Sequence, residues 1–124
     1  MNKREIGQRY EDKAAAYLEE QGVALLERNF RCRQGEVDLV GYHENCLVFV
    51  EVKYRKTAVF GMPEEAVDRG KQLKICAVSD YYRAVHPREC TKQVRYDVVA
   101  ICGEVITWYQ NAFPYCRKNN RCFW

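Results

Sequence analysis

The sequence lacks the features that mark zinc fingers, secreted proteins and membrane proteins. It has only two histidines, His43 and His86, and none of its seven cysteines forms a Cys-x-x-Cys pair, so we expect no zinc site. The cysteines are scattered and odd in number, which favours reduced thiols in a cytoplasm over a disulfide framework. No apolar run is long enough to cross a membrane, and the charged start predicts no secretory signal. We therefore expect a cytoplasmic protein that does not enter membranes.

Repeats, low-complexity tracts and linkers are also missing from the sequence. The chain has 124 residues, 48% of them hydrophobic, which is enough for one domain with a real core. Its net charge of +3 permits nucleic-acid binding but does not argue strongly for it.

Hydrophobic periodicity predicts seven elements in the order helix, three strands, helix, two strands. This order predicts an α/β sandwich whose mixed five-stranded sheet is flanked by helices. The predicted helices cover residues 2–21 and 63–85, and the predicted strands cover residues 23–31, 35–40, 48–53, 94–101 and 105–108.

The second and third predicted strands carry the most informative residues. If Glu44–Asn45 form a two-residue hairpin turn, His43 faces Cys46. The same register places Asp38 directly opposite Glu51, and directly opposed side chains share one face of a sheet.

Lys53 lies two residues beyond Glu51, so the hairpin would present two carboxylates and an ammonium together. Opposed carboxylates repel each other, whereas a hard cation such as Mg²⁺ binds their oxygens and turns the repulsion into attraction. The register also places Glu36 opposite Lys53, so an ordinary ion cluster with a structural role explains the charges equally well. On spacing alone, the metal site and the structural ion cluster stand as equal alternatives.

Two further groups of charged residues lie on the predicted helices. Glu11 lies along or beside the apolar stripe of the first helix, so it either reaches the helix edge or points at a site. Arg69, Lys71 and Lys74 crowd the first half of the second helix, against the preference of the helix dipole. A solvated surface is the simpler reading of that basic group.

The chain resembles the YraN-like uncharacterised bacterial family from about Ile6 to Phe113. The resemblance is carried by Gly7-x-x-x-Glu11-x-x-Ala14-x-x-Tyr17-Leu18, Arg28-Asn29-Phe30-Arg31, Gly35-Glu36-Val37-Asp38-Leu39-Val40, Phe49-Val50-Glu51-Val52-Lys53-Tyr54-Arg55, Phe60-Gly61-x-Pro63-x-x-Ala66-Val67 and Arg95-Tyr96-Asp97-Val98-Val99. It implies a nuclease-like domain over residues 1–113, with residues 114–124 as a tail outside the resemblance.

That family is regarded as distantly similar to archaeal Holliday junction resolvases in the restriction-endonuclease-like superfamily. Asp38 and the Glu51-x-Lys53 segment resemble the PD-(D/E)xK pattern of that superfamily, although Val37 stands where the pattern has proline. The resemblance implies a restriction-endonuclease-like sandwich and a predicted endonuclease activity.

The resemblance also assigns roles to individual residues. Asp38, Glu51 and the backbone carbonyl of Val52 would bind the metal, and Glu11 would be a further ligand or a water anchor. Lys53 would orient the attacking water or stabilise charge on the phosphate.

Four more residues take supporting roles on this reading. Glu36 would be the partner of Lys53. Arg33, Arg55 and Lys71 would contact phosphates, because they flank the motif strands and the start of the second helix.

The implied function is hydrolysis of DNA phosphodiester bonds with Mg²⁺, for which Mn²⁺ would substitute. A four-way junction substrate would imply a homodimer with two equivalent sites. Two other hypotheses stay open: a nucleic-acid-binding module that cleaves nothing, and a scaffold protein whose carboxylates form a structural ion cluster.

Overall fold

The structure, a computed structural model, describes residues 2–55, 67–89, 93–117 and 122–123. It contains two helices, a short 3₁₀ turn (Pro87–Glu89) and seven strands within these residues. They are α1 (Lys3–Glu20), β1 (Ala24–Cys32), β2 (Gly35–His43), β3 (Cys46–Tyr54), α2 (Arg69–Val85), β4 (Gln93–Cys102), β5 (Val105–Tyr109), β6 (Tyr115–Cys116) and β7 (Cys122–Phe123).

Helix α1 matches its predicted bounds to within one residue at each end. It starts behind Asn2, whose side-chain oxygen accepts a hydrogen bond of 2.9 Å from the backbone amide of Glu5. This contact satisfies one of the free amides of the first turn. Gly22, with a φ of 97°, then turns the chain towards β1.

Helix α2 starts later than predicted. Asp68 caps it by accepting a hydrogen bond of 2.8 Å from the amide of Lys71, and the helix begins at Arg69. The prediction of a helix over 63–85 is therefore wrong at Val67 and Asp68, because the capping aspartate has extended backbone. The expected first turn at Pro63 lies outside the described residues.

Strands β1 to β5 form one mixed sheet in the order β1-β2-β3-β4-β5. The β1–β2, β2–β3 and β4–β5 neighbours are antiparallel, whereas β3 and β4 are parallel. Parallel neighbours need a crossover, and α2 lies in the chain segment that provides it. The predicted α/β class and five-stranded mixed sheet are confirmed.

Both faces of the sheet are buried. The α1-side core contains Ala14, Ala15, Leu18, Val23, Leu39, Val48, Val50, Val99 and Ile101. The α2-side core contains Val37, Val40, Leu47, Phe49, Val67, Ile75, Cys76, Val78, Tyr82, Tyr96, Val98, Ala112, Phe113 and Cys116. The β2–β3 hairpin is therefore covered on both sides, as its nearly continuous apolar sequence predicts.

The segment after β5 closes the α2-side core. Phe113 is 1% exposed and stacks on Tyr96, with ring centroids 5.3 Å apart. The amide of Ala112 donates a hydrogen bond of 2.7 Å to the carbonyl of Tyr96. Phe113 therefore caps the α2-side core. Among the described residues, no helix combines the length and the hydropathy needed to span a bilayer.

Asp97 on β4 organises a buried polar network at the centre of the sheet. It is fully buried and accepts two hydrogen bonds from Arg95, one from the indole of Trp108 and one from the amide of Asn111, each of 2.9 Å. Arg95 also contacts Nδ1 of His43 at 3.0 Å. Every oxygen of this carboxylate is thus compensated, which identifies a structural role.

Replacing Asp97 by alanine should destabilise the fold severely. The change leaves the buried guanidinium of Arg95 and two other donors unpaired, and such a loss costs about 3–5 kcal/mol. Urea denaturation measures it. Glu104→Ala is the control, because Glu104 is 96% exposed and pairs with Lys13 at 3.8 Å, which predicts a change below about 1 kcal/mol. Equal stabilities for the two variants would contradict the structural role of Asp97.

Candidate functional site

The β2–β3 hairpin positions the predicted carboxylates. Its turn residues, Glu44–Asn45, have positive φ angles of 49° and 66°, as a two-residue type I′ turn requires. Paired residues start at His43 and Cys46, as predicted, and continue to Leu39 and Val50. One further step along this register leads to the two carboxylates, but the backbone pairing ends just before them.

Asp38 lies where the two strands part. Its Oδ2 accepts a hydrogen bond of 2.8 Å from the backbone amide of Val52. The side chain therefore takes the acceptor position that a backbone carbonyl would hold in a continuing ladder. The charge of Asp38 raises the pKa of Glu51, and both side chains line one cleft, so the two acids lie near each other.

A local change in strand β2 produces this geometry. Val37 packs in the α2-side core and Leu39 in the α1-side core, although residues two apart on a regular strand share a face. The alternation is therefore interrupted at Asp38. Asn29, which lies across from Asp38 on β1, has a φ of 53°, so the irregularity involves both strands.

Glu51 is a buried acid with too little compensation for its charge. It is 6% exposed, and its Oε2 has no hydrogen-bond partner. Burial, followed by the charge and the hydrogen bond of Asp38, raises the pKa of Glu51 to about 8. Lys71, whose Nζ lies 3.6 Å from Oε2, and Lys53 both lower this pKa without reversing the shift. At neutral pH the Glu51 carboxyl therefore holds a proton.

Glu11 approaches the same point from helix α1. It is 8% exposed, and its Oε1 is buried without a hydrogen-bond partner. Burial and the charge of Asp38 raise the pKa of Glu11, while Arg28, 3.9 Å away, lowers it. The sequence left open whether Glu11 reaches the helix edge or points at a site, and the structure turns it towards Asp38.

These acids lie at the bottom of a cleft of about 680 Å³ between α1 and the ends of β1, β2 and β3. Glu11, Asp38, Glu51 and Val52 line it. Half of the other lining residues are cationic or aromatic, and these five were not predicted from the sequence: Lys3, Arg4, Arg31, Tyr10 and Tyr54. The sequence positions of two of them could have indicated their place in the site, because Tyr10 precedes Glu11 and Tyr54 follows Lys53.

Glu36 does not take the position predicted for it. Its Oε2 accepts a hydrogen bond of 2.9 Å from Nε of Arg31 on the neighbouring strand β1. Within the described residues no ion pair joins Glu36 to Lys53, because the β2–β3 ladder ends before the register reaches them. Glu36 nevertheless lines the same cleft as Asp38.

The predicted phosphate-binding residues separate into different places. Lys71 contacts Glu51 directly. Arg55 follows Tyr54 and donates a hydrogen bond of 3.2 Å to its carbonyl. Arg33 instead lines a second cavity of about 760 Å³ between the β1–β2 turn, α2 and the C-terminal segment. The three cations therefore do not form one surface.

The donor set suits a divalent cation held by two carboxylates. The buried oxygens of Glu51 and Glu11 that lack hydrogen-bond partners, together with the pKa values that burial and Asp38 raise, show an excess of acid that a cation would neutralise. In the described ranges, however, no three His, Cys, Asp or Glu side chains lie close enough to share one metal ion. Mg²⁺ commonly uses one or two carboxylates and completes its shell with water and phosphate. Asp38, Glu51 and the carbonyl of Val52 fit that pattern better than a closed cage.

The chain matches a known protein family over most of its length. The profile of the Uncharacterised protein family UPF0102 matches residues 10–101. The chain belongs to this family. The matched residues include the whole carboxylate cluster, Lys53 and both cleft tyrosines, and the match confirms the resemblance seen in the motifs.

Several relatives carry the same family description, "UPF0102 protein". The protein from Lachnoclostridium phytofermentans is 45% identical over 113 residues, which cover 91% of this chain and 96% of the relative. The protein from Cytophaga hutchinsonii is 46% identical over 94 residues, covering 76% and 81%. The protein from Caldicellulosiruptor saccharolyticus is 42% identical over 120 residues, covering 91% and 100%.

The raised pKa of Glu51 predicts a pH dependence of stability in the absence of divalent cations. The folded state holds a proton on Glu51 up to about pH 8, whereas the unfolded chain releases it near pH 4.5. The stabilisation is therefore complete below pH 4.5 and is lost as the pH rises through about 8. Because each unit of pKa shift equals about 1.4 kcal/mol, the loss should amount to a few kcal/mol.

Urea denaturation from pH 4 to pH 9 in chelator, with Glu51→Gln as the comparison, measures this effect. Glu51→Gln should remove the extra slope, while Glu104→Gln, at a fully exposed position, should keep the wild-type slope. Parallel stability curves for wild type and Glu51→Gln would show that Glu51 is ionised normally.

Proposed function

We propose that this protein is a metal-dependent nuclease that hydrolyses phosphodiester bonds in DNA. The observation that carries the proposal is the buried carboxylate of Glu51 beside the partly buried carboxylate of Asp38, both of which line a cleft that also contains cations. A fold gains nothing in stability from a buried acid that lacks full compensation and lies beside a second acid. A divalent cation supplies the missing compensation, and a phosphodiester fits the cations around the cleft.

Asp38, Glu51 and the backbone carbonyl of Val52 are the groups that would hold Mg²⁺, or Mn²⁺ in its place. The ion, when bound, neutralises charge on the phosphate and supplies a hydroxide at neutral pH. Glu51 must give up its proton for this purpose, since carboxylate ligands bind metals in the ionised form. Loading of the site is therefore favoured by rising pH.

The remaining residues bind and orient the substrate. Lys53, which is close enough to Glu51 to lower its pKa, would stabilise charge on the phosphate or orient the attacking water. Glu11 suits the role of a water anchor, because it turns towards Asp38 without completing a three-acid group. Lys3 and Arg4 on helix α1 would hold neighbouring phosphates in the same cleft.

A branched or four-way DNA substrate is the finer form of this proposal. Such a junction presents two related strands, so symmetric cleavage requires two equivalent sites in a homodimer. Light scattering of the purified protein, with and without a synthetic junction, tests that part separately from catalysis.

A nucleic-acid-binding module without catalysis is the second candidate function. The cationic and aromatic lining of the cleft supports it without any use of the carboxylates. Binding of this kind weakens steeply with salt and needs no metal. Salt titration of DNA binding in chelator therefore measures it independently of cleavage.

Asp38→Asn should abolish cleavage while leaving the fold intact. The change keeps the size of the side chain but removes one of the two negative charges that would hold the metal. We expect a loss of at least about 100-fold, on the order expected for the removal of one essential group from an active site. The assay uses labelled four-way junction, flap, duplex, single-stranded DNA and RNA with Mg²⁺ or Mn²⁺.

Asp12→Asn is the matched control for that experiment. Asp12 is likewise an aspartate, but it lies on helix α1, its side chain is 55% exposed and paired with Arg28, and neither residue lines the cleft. It should cleave at the wild-type rate. Cleavage by Asp38→Asn equal to that of the control would rule out the proposed metal site, and absence of cleavage by the wild type on every substrate would favour the binding module.

Metal binding also has a readout that does not depend on activity. At pH 8, Mg²⁺ in the millimolar range should raise the melting temperature of the wild type, since a ligand stabilises the state that binds it. The shift should be smaller at pH 6, where Glu51 holds its proton more firmly, and absent in Asp38→Asn. Isothermal titration should also detect proton release on binding. An equal shift in the wild type and in Asp38→Asn would show that Mg²⁺ binds elsewhere.

A further inference from the structure

Two stacked tyrosines lie beside the carboxylates in the cleft. The rings of Tyr10 and Tyr54 have centroids 4.2 Å apart and planes inclined by 22°. Tyr54 is 41% exposed, whereas tyrosines that serve the core, such as Tyr82 and Tyr96, are 3% exposed. Packing alone does not explain an open aromatic ring at this position.

Tyr10 holds the pair in place, and Tyr54 presents its surface. Tyr10 contacts Tyr54, and the ammonium of Lys13 lies 5.9 Å from the Tyr10 ring centre. Tyr54, by contrast, makes its ring contact with Tyr10 alone among the described residues. Tyr54 therefore keeps exposed ring surface in the cleft, where a ligand can reach it.

The chain fixes this ring next to the proposed chemistry. Tyr54 directly follows Lys53 on β3, and Tyr10 directly precedes Glu11 on α1. Both tyrosines line the cleft that contains Asp38 and Glu51. Neighbouring residues on a strand point to opposite faces. The side chain of Lys53 therefore lies on the same face of the sheet as that of Glu51, and the side chain of Tyr54 lies on the face that α1 covers.

The charge around the pair favours a nucleotide over an uncharged aromatic ligand. Lys3, Arg4 and Arg31 line the same cleft. Arg31 is paired with Glu36, whereas within the described ranges neither Lys3 nor Arg4 forms an ion pair. A flat aromatic face beside free cations suits a base joined to a phosphate.

We propose that Tyr54, supported by Tyr10, stacks on an unpaired base of the nucleic-acid strand bound in the cleft. A base inside a continuous duplex has neighbours on both faces, so a protein ring reaches a base face only where the duplex is open. The substrate class is therefore nucleic acid with unpaired nucleotides at the site, such as single strands, flaps and open branch points. This inference rests on the proposed function for its placement next to the bond to be cut, but stacking itself needs no metal.

Binding of 2-aminopurine oligonucleotides in chelator tests the proposal without cleavage. Stacking on a tyrosine quenches the fluorescence of this base, so wild type should bind and quench a single-stranded or flap probe more strongly than a fully paired duplex. Tyr54→Ala should weaken binding of the unpaired probes roughly 5- to 100-fold and abolish the additional quenching. Its duplex binding should change less than twofold.

Three further variants make the result decisive. Tyr81→Ala is the matched control, because Tyr81 is 40% exposed but lies on α2 outside the cleft, and it should bind as wild type does. Tyr54→Phe should retain stacking, whereas Tyr54→Leu keeps apolar bulk and should lose it. The Tyr54→Phe and Tyr54→Leu pair also decides the question if the alanine variant fails to fold.

Two results would overturn the proposal. Wild-type binding of unpaired probes by Tyr54→Leu would show that no stacking occurs, and an equal loss for duplex and unpaired probes would show a general contact. The proposed nuclease activity fails separately: quenching that depends on Tyr54 with no cleavage in Mg²⁺ or Mn²⁺ would leave a binding module for unpaired strands. Cleavage without any contribution of Tyr54 would leave the nuclease and remove the stacking site.

Discussion

The enforced closeness of Asp38 and Glu51 is the constraint around which the rest of the site is arranged. Two unit charges 4 Å apart repel by about 4 kcal/mol at the effective dielectric of a protein, a large part of a typical folding free energy of 5–15 kcal/mol. The hairpin brings the two acids near each other, and burial of Glu51 reduces the screening of its charge by water. The conflict is relieved by a proton on Glu51, by the nearby ammonium groups, or by a cation. A site with these three alternatives should respond to pH and, under the proposed function, to divalent cations.

A second buried acid in the same sheet shows how a structural carboxylate differs. Asp97 is less exposed than Glu51, yet it accepts four hydrogen bonds and keeps Arg95 beside it. Glu51 has a buried oxygen that accepts no hydrogen bond, and its pKa is strongly raised although Lys71 lies nearby. Burial alone therefore does not distinguish the structural carboxylate of Asp97 from that of Glu51. The number of hydrogen bonds and ion pairs that compensate each charge does. The hypothesis of a purely structural ion cluster fits Asp97 far better than it fits the pair at the end of the hairpin.

Turn chemistry and the alternation of apolar residues predict the β2–β3 hairpin, but they do not predict the geometry at its open end. The turn at Glu44–Asn45 fixes the pairing, and the alternation of apolar residues fixes burial, so the sequence predicts both. The position of Glu36 was not predicted, because the β1–β2 pairing places it opposite Arg31, whereas the β2–β3 ladder ends before it would reach Lys53. The parting of the strands at Asp38 involves Asn29, which lies on a different strand. Such irregularities arise from tertiary packing, and the periodicity of apolar residues along the chain does not predict them.

Tyr10 and Tyr54 directly adjoin the motif residues Glu11 and Lys53 in the sequence, and both line the cleft. On strand β3 a step of one residue reverses the face, so Glu51 and Lys53 lie together while Tyr54 lies opposite them. At the end of the sheet, residues from both faces line one cleft. A nucleotide has a similar division, with a charged phosphate at one end and a flat base at the other. Under the proposed function, the strand would thus place a charge-binding group and a stacking group in adjacent positions, and the parted strands at Asp38 would let one substrate contact both.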